Sequence, residues 1–181
     1  MAELIGLHYS PFTEKARWAL DHHKIEYKYR EHLLIFGEPA LRLKLRRYRG
    51  GITVPAFVQG THRLMDSFGI ARYAEEHGKG ATLFPTERLD DLKHFNAQSE
   101  AGLDAGRALL LVNMAKNPDA KIENLPPFIP KSGLFSPIVS FGLKYIGSSF
   151  KTGEKTQTEH QLRLRNVLLG LRESLKGSYL L

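Results

Sequence analysis

Apolar residues recur along this chain with two different periods, and each change of period marks a new element. Leu4 to Tyr9 is a short apolar run that reads as a strand. Ser10-Pro11 then opens a helix to about His22, because serine is a strong N-cap and proline fits the first helical turn. Phe12, Ala16, Ala19, Leu20 and His23 recur at helical spacing and give that helix a buried stripe. Ile25 to Arg30 alternates and predicts a strand with Ile25, Tyr27 and Tyr29 on one face. Pro39 to Arg47 reads as a short basic helix ended by Gly50-Gly51. Thr53 to Val58 predicts a second apolar strand, and Arg63 to Met65 returns after the turn Gln59-Gly60-Thr61. Ser67 is expected to cap a further helix, to about His77, with Phe68, Ala71 and Ala74-Glu75 on its stripe. This order of elements fits an α/β layout of the thioredoxin-like kind, a mixed four-stranded sheet with helices on both faces.

The second half is patterned differently. Gly78 to Arg88 carries Gly78, Gly80 and Pro85 and reads as a linker. Leu89 to about Lys116 predicts a long helix. Asn117 to Pro137 contains Pro118, Pro126, Pro127, Pro130 and Pro137, which excludes one continuous helix there. Ile138 to Ile146 predicts a short helix, and Thr156 to Lys176 a strong one carrying Leu162, Val167, Leu168, Leu171 and Leu175. Two domains are therefore expected, an α/β domain over residues 1–80 and an all-α domain over 89–181.

Composition narrows the chemistry. The chain has 181 residues, and its 42% hydrophobic content suits a globular protein rather than a disordered one. No apolar stretch reaches the length of a membrane span. The N-terminus has no basic region followed by an apolar core, so a cytoplasmic protein without a signal peptide is expected. There is no cysteine, which excludes disulfides, zinc-cysteine sites and dithiol catalysis. The net charge of +7 attracts anions of every kind. Its densest run is Arg42, Lys44, Arg46, Arg47 and Arg49, read first as one solvated helix face and second as a steering patch beside an anionic ligand. No zinc finger, RNA-recognition signature or heptad-plus-basic region is present, which makes nucleic acid the least favoured partner. His22 and His23 are adjacent and diverge on a helix, and the other histidines are scattered, so no metal is assigned.

Three short segments combine into a site. Ser10, at a strand end and helix start, places a hydroxyl beside helix N-terminal amides, where hydrogen bonds and the macrodipole stabilise a thiolate. A free thiol titrates at about 8.5, and one charge-assisted hydrogen bond, about 1.5–3 kcal/mol, makes its thiolate substantial at neutral pH. The bland alternative is that Ser10 is an N-cap alone. Tyr9 lies next to it, and strand alternation separates the two side chains. Val54-Pro55 is either an ordinary trans proline at a strand start or a cis bond that turns the Val54 backbone toward an extended peptide. Asp66-Ser67 at a helix start offers a carboxylate site on the Ser67 side and an ammonium acceptor in Asp66, or plain capping.

Residues 4 to 84 resemble the N-terminal domain of the glutathione transferase superfamily. The resemblance rests on Tyr9-Ser10-Pro11-Phe12-Thr13-Glu14-Lys15-Ala16-Arg17-Trp18-Ala19-Leu20, on Val54-Pro55-Ala56-Phe57 and on Met65-Asp66-Ser67 before a helix. It is similar to serine-type members such as the tau and zeta classes. The resemblance implies a cis Val54-Pro55 bond, a glutathione co-substrate held by Thr53, Val54, Pro55, Asp66 and Ser67, and Ser10 as the catalytic hydroxyl, with Tyr9 as the alternative. Thr13 falls where redox relatives carry the second cysteine of their pair, and it reads as an exposed first-turn residue. Many relatives place Lys or Gln just before the Val-Pro pair. This chain has Thr53 there, so Arg47, Arg49 or main chain remain as holders of the glycyl carboxylate.

The same resemblance implies a hydrophobic substrate pocket walled by Tyr9, Phe12 and the helix from Leu103 to Met114. It also implies a homodimer formed near the Ser67 and Leu89 helices. The chain stops at Gly177-Ser178-Tyr179-Leu180-Leu181, where the family continues into a buried helix. The helical domain is thus expected to be incomplete, with Leu162, Val167 and Leu171 exposed. The expected activity is conjugation of glutathione thiolate to a hydrophobic electrophile, or reduction of a peroxide with it. The alternative is a non-catalytic transferase-like module for protein interaction.

Overall fold

The computed structural model describes residues 1–33, 37–123, 125, 129–149, 156–175 and 177. Lys176, the tail 178–181 and the prolines Pro126 and Pro127 lie outside the described residues. The chain divides into two compact units, Met1–Leu92 and Lys93–Leu181.

The first unit is a four-stranded mixed sheet in the order β2-β1-β3-β4. The strands are β1 (Ala2–Gly6), β2 (Tyr27–Glu31), β3 (Ala56–Gln59) and β4 (His62–Leu64). Its helices are α1 (Pro11–His22), α2 (Glu38–Leu45) and α3 (Ser67–His77). β1 runs parallel to β2 and antiparallel to β3, and β3 and β4 form a hairpin whose turn glycine, Gly60, has φ of 58°. Positive φ at this tight turn suits glycine. Leu4 pairs with Phe57 and Ile5 with Ala56, so alternate residues serve opposite faces. Leu4 and Phe57 join Ala16, Ala19 and Leu20 of α1 and Ile70 and Ala74 of α3 in one core cluster. Ile5 and Ala56 join Leu41 and Leu45 of α2 in another. The expected thioredoxin-like α/β arrangement is the observed one.

The strands are displaced from the expected limits. β1 ends at Gly6 rather than Tyr9, so Tyr9 and Ser10 sit in a turn and strand alternation does not separate them. α2 stops at Leu45 because Arg46 adopts a left-handed conformation (φ 51°). Arg46, Arg47 and Arg49 therefore lie beyond the helix, correcting the single-face reading of the basic run. Arg42 is paired with Glu38 at 2.8 Å and also donates to the Arg47 and Gly50 carbonyls. Lys44 is paired with Glu3. Thr13, expected to be exposed, is fully buried.

Where α1 and α3 end, Glu75 organises the chain that follows. It accepts from the Thr82 hydroxyl at 2.5 Å and from the Leu83 and Phe84 amides at 2.6 and 3.0 Å. His23, 1% exposed at the end of α1, has Nε2 3.7 Å from the same carboxylate. Gly78 and Gly80 pass so close to His23 that a Cβ would lie 2.4 Å from the His23 Cβ and 2.8 Å from its Nδ1. Larger residues there force the junction apart.

The described residues of the second unit form helices joined by short non-helical segments, with no strand among them. α4 (Leu89–Lys116) crosses the unit boundary, and α5 (Pro118–Glu123), α6 (Ser136–Ser149) and α7 (Gln157–Ser174) follow. A Cβ at Gly102 of α4 would lie 3.2 Å from the Val167 Cγ1 of α7, so the two helices meet closely there. α7 starts at a capping box between Thr156 and Glu159. No helix among the described residues is long and apolar enough to cross a membrane.

Burial alone would raise the Glu75 carboxyl, but its hydrogen bonds from Thr82, Leu83 and Phe84 hold it below the usual carboxylate range. Glu75→Gln is expected to cost about 1.5–3 kcal/mol by urea denaturation at neutral pH, since bonds to a charged acceptor are lost. Burial, with His22 adding to it and Glu75 opposing it, holds the His23 imidazole below the ordinary histidine value. On acidification the unfolded chain protonates His23 first, at about pH 6.5, so stability is full above that value and falls below it. The Glu75 contribution is full above the ordinary glutamate range and is lost as pH falls through its lowered folded value. A denaturation series from pH 7 to 5 should therefore slope downward, and His23→Gln should flatten that slope.

Candidate functional site

The β1 and β3 register carries the three predicted segments to one end of the sheet. Ile5 lies opposite Ala56 and Phe57 opposite Leu64. The turn after β1, the residues before β3 and the residues after β4 therefore leave the sheet at the same end. These segments hold Tyr9-Ser10, Thr53-Val54-Pro55 and Asp66-Ser67. The Thr53 hydroxyl donates to the Met65 carbonyl at 3.2 Å and ties two of the segments together. Val54-Pro55 is cis, as the resemblance implies. β3 begins at Ala56, leaving Val54 outside the ladder.

Ser10 is the residue before α1. Its N–H donates to the Leu7 carbonyl at 2.9 Å, and its carbonyl accepts from Glu14 at 3.0 Å. Its side chain makes no capping bond to the helix. The turn is anchored from below by Thr13, whose hydroxyl accepts from the Leu7 N–H at 3.3 Å. Gly6 has no room for a side chain, since a Cβ would lie 2.5 Å from the Thr13 Cγ2. Tyr9 is 58% exposed and meets the His8 ring edge-on at 5.1 Å. Partial desolvation and the nearby Glu31 charge push its phenol above the ordinary tyrosine value. Phe12 is half-buried, with the Lys15 ammonium 5.8 Å from its ring centre.

The helix after Met65 is capped differently from expectation. Asp66 is the N-cap, and its Oδ2 accepts from the Gly69 N–H at 2.7 Å. Ser67 is the first helical residue, not the cap. Its hydroxyl is buried, with the residue 2% exposed, and has no hydrogen-bond partner. A buried unpaired hydroxyl is costly. Here it sits at the positive end of α3, where an anion gains most.

Sequence reasoning missed an anchor beside Ser10. Glu31 ends β2 opposite Gly6. It accepts from the His8 N–H at 3.2 Å and lies 3.0 Å from the His8 Nδ1, while the Tyr29 hydroxyl donates to its other oxygen at 2.7 Å. Burial favours the neutral acid, yet the bonds from Tyr29 and His8 outweigh it and hold Glu31 below the usual range. The only sequence signal was the Tyr-x-Glu alternation at the end of β2.

Residues 4–82 match the family model described as "Glutathione S-transferase, N-terminal domain". That match falls within the first unit. No curated protein matches the chain. Among solved structures, glutathione transferase Omega 3C from Trametes versicolor is similar with a TM-score of 0.52 and 14% identity over 99% of this chain. This chain spans 64% of the length of that transferase. A possible glutathione S-transferase from Rhodopseudomonas palustris gives a TM-score of 0.46 at 18% identity, covering 92% of this chain and 93% of the other. Leishmania TDR1, a trimeric glutathione transferase, gives 0.47 at 20% identity, covering 97% and 49%. The first of these likenesses concerns the fold.

The capping pattern yields opposite expectations for neighbouring residues. Asp66→Ala should lower stability by about 1 kcal/mol through loss of the cap. Ser67→Ala removes an unpaired buried hydroxyl and should raise the stability of the ligand-free protein, by about 1 kcal/mol. Parallel denaturant melts check both signs.

Proposed function

We propose that the first unit binds glutathione and that the chain uses the bound thiolate as a nucleophile, in the manner of serine-type glutathione transferases. The observation that carries this reading is the presence of two uncommitted hydroxyls, Ser10 and Ser67, on segments that leave the sheet at one end. In this reading the first-turn amides of α3 and the Ser67 hydroxyl take the γ-glutamyl carboxylate. Asp66 takes the ammonium on the oxygen that Gly69 does not use. The Val54 main chain, with Pro55, pairs with the extended tripeptide as an added strand would. Ser10 donates to the sulfur at the positive end of α1, favouring thiolate over thiol. The sulfur forms a bond to an electrophilic carbon and the leaving group departs with its electron pair; with a peroxide, the thiolate takes one oxygen as the O–O bond breaks and alkoxide or hydroxide leaves, and a second glutathione thiol then displaces water from the sulfenic acid to give glutathione disulfide.

Thr53 has its hydroxyl proton committed to Met65. The glycyl carboxylate therefore falls to main chain or to Arg47 or Arg49, which are exposed and form no ion pair with a described acid. Tyr9 remains the second donor candidate beside Ser10. A hydrophobic electrophile bordering Tyr9 and Phe12, a homodimer and a cytoplasmic setting belong to the same reading.

Calorimetric titration with glutathione, followed by spectroscopic titration of the bound thiol, tests it. Glutathione should bind, and its thiol should be more acidic than the free value of about 8.5. Ser10→Ala should leave binding within a few-fold and raise the bound thiol by about one unit, a roughly tenfold loss of thiolate. Tyr9→Phe should leave the titration unchanged. An effect at Tyr9 in place of Ser10 reassigns the donor, and no binding at all leaves the interaction-module reading.

A further inference from the structure

β4 and the last turn of α3 bring together two histidines that lie far apart in the chain. The ring centres of His62 and His77 are 5.5 Å apart, with their planes at 65°. Tyr73 supports both, stacked on His77 at 4.0 Å and tilted against His62 at 5.0 Å. Tyr73 is itself fixed. Its ring packs on the buried Phe57 at 5.3 Å, and its hydroxyl donates to the Gln59 Oε1 at 3.1 Å. The pair is therefore mounted on the rigid part of the first unit.

The hydrogen bonding of His77 selects one tautomer. Its Nδ1 lies 3.0 Å from the Tyr73 carbonyl oxygen. A carbonyl can only accept, so Nδ1 carries the proton and Nε2 of the neutral ring presents its lone pair. A backbone carbonyl on the far nitrogen is the usual support of a metal-ligating imidazole. No hydrogen bond among the described residues engages the His62 ring, and both rings reach the surface. With metal–nitrogen bonds of about 2.0–2.1 Å and a near-tetrahedral angle, two imidazoles on one ion stand roughly 5 Å apart centre to centre. Ring packing accounts for the observed separation but not for the tautomer. The neighbouring cation is directed elsewhere, because Arg63 donates to the Lys44 and Thr61 carbonyls.

We propose that His62 and His77 form a two-histidine site for a divalent transition-metal ion that favours imidazole, such as zinc, with water completing the shell. No group of three or more histidine or acidic side chains converges among the described residues, so the site is open and exchangeable rather than a closed structural centre. An ion there joins β4, the short edge strand of the sheet, to the end of α3. It stabilises the first unit in proportion to its occupancy. This inference does not depend on the glutathione reading.

The test uses the full chain without any affinity tag. Zinc chloride is titrated while histidine ring resonances and the melting temperature are followed. The His62 and His77 signals should move together, and the melting temperature should rise with zinc. His62→Asn, at an exposed position, should weaken the response at least about tenfold with the metal-free melting temperature unchanged. His77→Gln should weaken the zinc response as well, compared with its own metal-free melting temperature, and it separates ligand loss from any local effect at His62. An equal zinc response in wild type and His62→Asn overturns the site. So does a zinc response confined to His8, His22 or His94, or no response at millimolar zinc.

Discussion

The pairing of β1 with β3 decides most of what the first unit can do. Leu4 opposite Phe57 and Ile5 opposite Ala56 assign every neighbouring side chain to a face. A slip of one residue sends Phe57 toward α2 and Ala56 toward α1 and α3, emptying one core and overfilling the other. Burial of Phe57 alone stabilises the correct register by roughly 1.5–3 kcal/mol. The same register fixes where the chain leaves the sheet. Because Ile5 faces Ala56, the Ser10 turn and the Val54-Pro55 segment emerge together, and Phe57 facing Leu64 brings Asp66 and Ser67 to that end. The candidate site follows from a core packing decision, with no contact among its own residues required to assemble it.

On this frame, polar groups are divided between those already used and those left over. Asp66 serves as cap and Thr53 bonds Met65, while Thr13 holds the Leu7 amide. Glu31 and Glu75 each gather several donors and fix a loop, one beside Ser10 and one behind α3. Against this background the idle hydroxyls of Ser10 and Ser67 stand out. A folded chain rarely leaves a buried hydroxyl at a helix N-terminus unpaired, because water or a neighbouring group removes the penalty. The cost at Ser67 is the kind that a ligand carboxylate removes on binding.

The order of elements and the long α4 helix were legible because their signals are local: a serine-proline start, a period near 3.6, a glycine turn. Strand ends were not. Leu7, His8 and Tyr9 look strand-like, but the fold needs them for the turn that Thr13 and Glu31 anchor. Thr13 reads as surface because it stands in a polar first turn; its burial comes from Gly6, which lets α1 approach the strand. Asp66 and Ser67 are equally good caps by composition, and geometry alone separates them. The basic run looks helical until Arg46 turns left-handed. The His62–His77 pairing has no sequence signal, since it joins a strand to the far end of a helix through Tyr73. The His62–His77 and Glu31–His8 contacts join residues distant in sequence, which periodicity does not encode.

The lack of cysteine gives the Ser10 turn its chemical character. Thr13 is fully buried and bonded to a backbone amide. A reactive group there would face the sheet and not solvent, and its bond to Leu7 would be lost on reaction. Thr13 is thus structural, and the Ser10 side chain makes no capping bond. A hydroxyl can donate to an anion but cannot be oxidised to a disulfide. On the proposed reading the protein then supplies position and electrostatics, while the tripeptide supplies the nucleophile. That arrangement suits transfer to a carbon electrophile better than dithiol exchange, which needs a second protein sulfur that this chain does not contain.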